Sequence, residues 1–344
     1  MLKDLKSLGF RMPAEWEKHA STWFSWVHKE ESWPGKFELI PPAYALILAT
    51  LSRFETVNVN VKDAEMESFA KKLIEEKGGK VNNVQFHHFP TNDSWCRDHG
   101  PIYVKKQSGE KAIIDWRYNA WGGKYPPFDL DDEIPVHIAK LQDLPLYQPG
   151  IVMEGGSIEV NGKGSLITSK ACLLNPNRNP HLTQKEIEEY LCLYLGIEQV
   201  LWVNDGIVGD DTDGHIDDMT RFVDERTILT CVENNIHDEN HVILEENLEL
   251  LKKMKDLNGN SFEIVTLPMP DPVVYEEQRL PASYANFLIA NDCVLVPTFR
   301  CQKDEQALDI IQDLFQNREV IGLDCTDIIW GLGAIHCLSQ QEPA

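Results

Sequence analysis

Five side chains of three chemical types carry most of this sequence's capacity for chemistry. They are the thiol of Cys337, the imidazole of His215 and the carboxylates of Asp98, Glu154 and Asp217. A cysteine thiolate is a strong nucleophile once a neighbouring cation lowers its pKa. A histidine moves protons near neutral pH. Carboxylates in pairs can hold a planar cation such as a guanidinium through charge-assisted hydrogen bonds. A proteolytic Cys–His site wants neutral oxyanion donors instead, and would not surround its cysteine with acids that raise the thiol pKa. A bound cation reverses that penalty, so the set makes sense with a cationic substrate. Each piece alone has a plainer reading: Cys337 as a core cysteine in a final strand, Asn92–Pro101 as a turn with an Arg–Asp pair, Met153–Ser157 as a Gly-Gly turn. The stretch Asp210–Asp218 looks like a calcium loop but lacks the closing bidentate Glu at the EF-hand spacing. His215 and Asp217 alternate with Ile216, which on a strand turns both to one face.

The elements that would position these residues form an irregular repeat: two short strands joined by a turn, an amphipathic helix, then another strand. The copy from Ser157 has a hairpin about Asn161–Gly164, a helix opened by a Thr183/Glu186 capping box and closed at Gly196, and the strand EQVLWV. Further copies begin near Pro101, His215 and Tyr284. The N-terminal region supplies a strand (STWFSWV), a helix (AYALILATLSRF) and a strand (TVNVNV), but lacks one hairpin strand. The tail from Trp330 to Ala344 is too apolar and glycine-rich for a frayed end and is the natural source of that strand. The expectation is an α/β propeller of five ββαβ-like units closed by the C-terminal strand, which also removes exposed sheet edges. An open sheet covered by helices is the competing architecture. Equivalent units would bring Asp98, Glu154, the His215 loop and Cys337 to one end of the ring, where Gly331 and Gly333 read as clearance for a flat guanidinium.

Composition sets outer bounds. The 344 residues are 42% hydrophobic and 25% charged, enough for a substantial core, read as one domain spanning 1–344. With 32 basic and 55 acidic residues the net charge is −23, which argues against nucleic-acid and anionic-membrane partners and favours small cations. No stretch reaches the roughly 18 apolar residues of a membrane span, and the first residues contain no signal-peptide core. Eight cysteines stand singly with no C-x-x-C, against zinc and against a disulfide framework, which predicts a reduced cytoplasmic protein.

Several longer motifs stand in a familiar order: MPAEWEKHASTWFSW from Met12, NDSWCRDHGP, YNAWGGKY, MEGGSIEVNGKGS, LLNPNRNP, DTDGHIDD, RLPASYANF and AIHCLSQQEP. In these the chain resembles the agmatine deiminases and Porphyromonas-type peptidylarginine deiminases of the guanidine-modifying superfamily, over nearly its whole length. The resemblance implies the five-bladed pentein propeller, no metal and no organic cofactor. It implies Cys337 as nucleophile through an amidino-cysteine intermediate, His215 as acid and base, and Glu154 as the acid that orients His215. Asp98 and Asp217 would hold the guanidinium, and Trp95 and Trp121 would wall the pocket beside an alkyl chain. The implied partner is a small cationic guanidine substrate, agmatine being favoured over arginine or peptidyl-arginine, and the resemblance suggests a homodimer. Amidino transfer and non-catalytic polyamine binding are the rival functions. Three positions depart from the agmatine-specific pattern: Asp213 and Asp218 stand where Asn is usual, and Leu332 interrupts a triple glycine. They are expected near the substrate, bearing on its identity.

Overall fold

A computed structural model describes residues 2–344. Its strands fall into five mixed sheets and one small hairpin. In the sheet of Ile158–Val160, Ser165–Ser169 and Gln199–Val203, the first two strands are antiparallel and the third joins parallel to the second. The same pattern recurs in Thr220–Phe222, Thr227–Val232 and Glu263–Pro268, and again in Leu288–Ile289, Cys293–Thr298 and Glu319–Asp324. A fourth sheet, Ile102–Lys106, Lys111–Ile114 and Leu146–Tyr147, gains Phe10–Arg11 on its outer edge. The parallel step is possible because a helix returns the chain each time.

The helices begin and end where local chemistry dictates. Gln184–Leu195 starts with the reciprocal Thr183/Glu186 capping box and stops at Gly196, whose φ of 70° is left-handed and suits a residue without a Cβ. Ile40–Leu51 opens on prolines, whose missing N–H groups would be unpaired in a first turn anyway.

The strand missing from the N-terminal unit is Ser339–Pro343. It pairs antiparallel with His19–Ser25, Ser339 lying opposite Phe24. That sheet continues parallel through Val57–Asn60 and, after a second helix Ala64–Glu76, through Val84–His87, an extension the repeat had not indicated. Ala334 to Pro343 are buried, so the chain end belongs to the core. Two local expectations are corrected. Cys337 is not in the final strand but in the turn just before it, because the N–H groups of His336 and Cys337 bond to the Asn286 side chain rather than to a ladder. His215 and Asp217 are not on a strand: His215 caps a 3-10 turn, Ile216–Asp218. No helix among the described residues is long and apolar enough to cross a membrane, and all eight cysteines are free thiols.

Candidate active site

Each sheet contributes one polar residue within four positions of its first hairpin strand: Asp98, Glu154, Asp217, Asn286 and Cys337. The first four precede Ile102, Ile158, Thr220 and Leu288, and Cys337 precedes Ser339. The sequence-predicted residues are brought together. His215 Nδ1 lies 3.7 Å from Asp98 Oδ1 and 4.0 Å from Asp217 Oδ1, and its Nε2 lies 4.0 Å from Glu154 Oε2. Cys337 Sγ is 3.8 Å from Asp217 Oδ2. Gly156 makes this density possible: a Cβ there would fall 2.6 Å from His215 Nδ1 and 2.9 Å from Asp98 Oδ1.

The sulfur opens onto a cavity of about 460 Å³ whose lining includes Trp95, Asp98, Trp121, Leu332 and Gly333. Trp121 donates from Nε1 to Asp98 Oδ2 at 2.9 Å, and Gly156 N donates to Asp98 Oδ1 at 3.0 Å, which fixes that carboxylate at the wall. Trp121 itself is left-handed, φ 55°, a strained state for a bulky side chain. Asn119 supports the bend by accepting from Gly122 N at 2.8 Å.

The glycines before Cys337 serve a different purpose from the one expected. A Cβ on Gly331 would strike the Trp33 ring at 2.5 Å and one on Gly333 the Trp95 ring at 2.5 Å. Trp33 and Trp95 stack with centroids 5.4 Å apart, so the missing Cβ atoms make room for the aromatic floor rather than for a ligand. Leu332 between them has φ 69°, the backbone state a glycine would adopt freely, at a cost of about 1 kcal/mol. Of the three departures, Leu332 alone lines the cavity. Asp213 and Asp218 sit behind it. Asp213 accepts from Asn177 Nδ2 and Lys124 Nζ, each at 2.9 Å, and from Arg178, whose Nε donates to Glu154 Oε1 at 2.7 Å. Asp218 Oδ1 accepts from Asn286 Nδ2 at 2.9 Å.

Four buried polar atoms at this centre have no hydrogen-bond partner among the described residues: both ring nitrogens of His215, Glu154 Oε2 and Asp217 Oδ1. Buried polar groups are normally paired, and orphans that converge are what a polar ligand would satisfy. The ionisation of the site is set by crowding. Burial pushes the Cys337 thiol well above its usual range, and Asp217, Asp218 and Asp98 add to the effect. Burial alone would lower His215, but Asp98, Cys172 and Asp217 together outweigh it and the imidazole rises well above its ordinary value. Burial pushes Asp98 up to about 6 against the pull of His215. Asp217 goes the other way: burial would raise it, yet the hydrogen bond and charge of His336 hold it down.

Behind the site lies a buried ionic relay that sequence reasoning missed. His336 Nδ1 contacts Asp217 Oδ2 at 2.6 Å and its Nε2 contacts Glu15 Oε2 at 2.7 Å. Glu15 accepts from Arg221 Nη2 at 2.8 Å, and Arg221 Nε donates to Glu159 Oε2 at 2.9 Å. Ligand-type atoms of Asp217, Asp218 and Cys337 lie within 4.8 Å of one another, as do those of Glu15, Glu159 and His336. In both groups protein N–H donors already occupy carboxylate oxygens; a third such group, Glu154, Cys172 and His215, has Arg178 on Glu154 Oε1. Asn286 was also missed, although the repeat signalled it: the copy from Tyr284 was the one unit without an assigned polar residue.

Comparison with known proteins places this geometry. The sequence matches the Porphyromonas-type peptidyl-arginine deiminase family over residues 11–343. It is 34% identical to the agmatine deiminase of Pseudomonas syringae pv. tomato over 359 aligned positions, covering 98% of this chain and 96% of the relative. The structure superposes on the agmatine deiminase of Enterococcus faecalis with a TM-score of 0.93 at 30% identity, covering 100% of this chain and 98% of the other. It superposes on a variant of the C. jejuni agmatine deiminase with substrate bound at a TM-score of 0.89 and 32% identity, covering 97% and 96%. The chain belongs to the Porphyromonas-type peptidyl-arginine deiminase family.

Proposed function

We propose that this chain is an agmatine deiminase, converting agmatine and water to N-carbamoylputrescine and ammonia through a covalent intermediate on Cys337. The observation that carries the reading is the ring of partnerless acceptors and imidazole nitrogens converging beside a thiol at the floor of a cavity. A guanidinium has N–H groups on three sides of a plane. Asp98 and Asp217 would accept from two of its nitrogens, and Glu154 from His215 or from the substrate. Two negative charges about 4 Å apart repel by about 4 kcal/mol at an effective dielectric of about 20. A thiolate at Cys337 is therefore opposed by Asp217 until a cation enters. Substrate binding itself would then promote loss of the thiol proton to solvent.

The thiolate attacks the guanidinium carbon, forming the C–S bond. His215, cationic in the free enzyme, gives its proton to the departing nitrogen as the C–N bond breaks, and ammonia leaves an amidino-cysteine. His215, now neutral, takes a proton from the attacking water. Collapse breaks the C–S bond, releases the urea product and returns the thiolate. Trp95 and Trp121 flank the alkyl chain. Glu31, Asp93, Asp211 and Glu276 at the cavity walls suit the distal ammonium of agmatine and oppose the carboxylate of arginine. The one lysine among the lining residues, Lys29, is paired with Asp93 at 3.2 Å.

The same reading takes the five sheets as propeller blades sealed by the Ser339–Pro343 pairing, one catalytic domain over 1–344. Eight free thiols suit a reducing cytoplasm. A panel of agmatine, arginine and a peptidyl-arginine, read by ammonia and urea-group formation, tests the substrate. Agmatine should lead by at least about 100-fold in kcat/KM, since an unpaired carboxylate among acids costs several kcal/mol. Arginine turnover with inert agmatine would overturn the choice. The pH profile offers a second check. Since kcat/KM reports the free enzyme and Asp98 sits at about 6 there, kcat/KM should fall as pH drops through about 6, where a protonated Asp98 no longer grips a cation. A flat profile from pH 7 to 5 would remove Asp98 from that role.

A further inference from the structure

We infer that Asn286 is a further catalytic residue, the hydrogen-bond donor that stabilises the Cys337 thiolate. The inference rests on the assignment of Cys337 as nucleophile, and not on the choice of agmatine. Asn286 is 1% exposed and its Nδ2 lies 2.9 Å from Cys337 Sγ. The orientation of the amide follows from its surroundings. Oδ1 receives the backbone N–H groups of His336 at 3.0 Å and Cys337 at 3.3 Å, which only donate, so the nitrogen must face the sulfur. Asp218 Oδ1 takes another contact from Nδ2 at 2.9 Å, fixing the plane of the NH2 group and aiming an N–H at Sγ. The backbone carbonyl of Asn286 also accepts from His336 N, at 3.1 Å. One side chain thus both clamps the turn that carries the nucleophile and contacts the reacting atom.

The need for such a donor follows from what else surrounds the sulfur. Asp217 approaches within 3.8 Å, and Asp218 and Asp98 are close enough to disfavour its charge. Among the described residues Asn286 is the side chain that gives Sγ a hydrogen bond. Hydrogen bonds to charged groups contribute about 1.5–3 kcal/mol, equivalent to roughly 10–100-fold in thiolate population. The placement agrees with the repeat: Asn286 stands two residues before Leu288, as Cys337 stands two before Ser339. The donor therefore comes from the unit adjacent in sequence to the one bearing the nucleophile.

The test is the pH dependence of iodoacetamide alkylation at Cys337, followed on the Cys337 peptide by mass spectrometry in substrate-free enzyme. On the rising limb of the profile Asn286→Ala should alkylate about 10–100-fold more slowly than the parent at each pH, the two curves converging where both thiols are ionised. Asn286→Val fills part of the same space with neither a donor nor a charge, and should show the displaced curve too. A purely structural role would instead lower the plateau and leave the titration where it was. The inference is overturned if Asn286→Val, folded by circular dichroism, keeps the parental profile, or if Asn286→Ala shifts only the plateau. Because no guanidine substrate is used, a failed substrate panel and an unshifted thiol titration are separate outcomes.

Discussion

Cys337→Ala should release ammonia from agmatine at least roughly 10⁴-fold more slowly than the parent, because removing a nucleophile that works with its acid–base partner costs nearly the whole chemical advantage. Binding should survive. The orphaned atoms of His215, Glu154 and Asp217 and the fixed carboxylate of Asp98 remain, and loss of a thiol that burial holds neutral removes little that a cation uses. Calorimetric titration of the variant with agmatine should therefore give a dissociation constant within about tenfold of the parental KM. Loss of both binding and turnover would mean that Cys337 shapes the cavity instead. Retained turnover would exclude covalent catalysis at this sulfur.

Arg221→Met should be the most destabilising single change among the residues discussed, lowering unfolding free energy by about 3–5 kcal/mol in urea titration. Arg221 is fully buried. It bonds Glu15 and Glu159 and the carbonyls of Ala285 and Phe287, and its removal strands two carboxylates in the core. The loss should depend on pH with a definite sign. Burial raises Glu159 even with Arg221 beside it, so its folded-state pKa lies above the unfolded value. Such a group favours the fold below its unfolded pKa of about 4.3, and that advantage is lost as pH rises towards the folded value. The variant's deficit should thus be smaller near pH 5 than at pH 8. Adding Glu159→Gln should recover part of it, since the stranded charge is gone. A pH-independent deficit with no recovery would place the cost in lost packing. Activity should fall as well, since Glu15 steadies His336 and His336 holds Asp217.

Much of the frame was legible in the sequence because hairpins, capped helices and alternating strands are local signals. Thr183, Glu186 and Gly196 announced a helix whose ends fall where they indicate. The tail's role was legible only by subtraction, from a unit short of one strand. The strand placement of His215 and Asp217 failed because alternation over three residues cannot distinguish a strand from a 3-10 turn; the capping position of His215 decides it. Gly331 and Gly333 were misread because a glycine shows that something comes close, never what. Here the neighbours are Trp33 and Trp95, the first nearly three hundred residues away. The Glu15–His336–Asp217 relay was out of reach for the same reason, since it joins the two ends of the chain to its middle. Asn286 differs. Its position was implied by the repeat, and its polar side chain was overlooked inside an apolar run.

Covalent catalysis at this site requires a bond between Cys337 and the substrate carbon. Enzyme in excess over agmatine, acid-quenched during a single turnover and digested, should yield a Cys337 peptide heavier by agmatine less ammonia, rising and then decaying as N-carbamoylputrescine appears. Product formation with that peptide unmodified at every time point, or with the added mass on another residue, would contradict it.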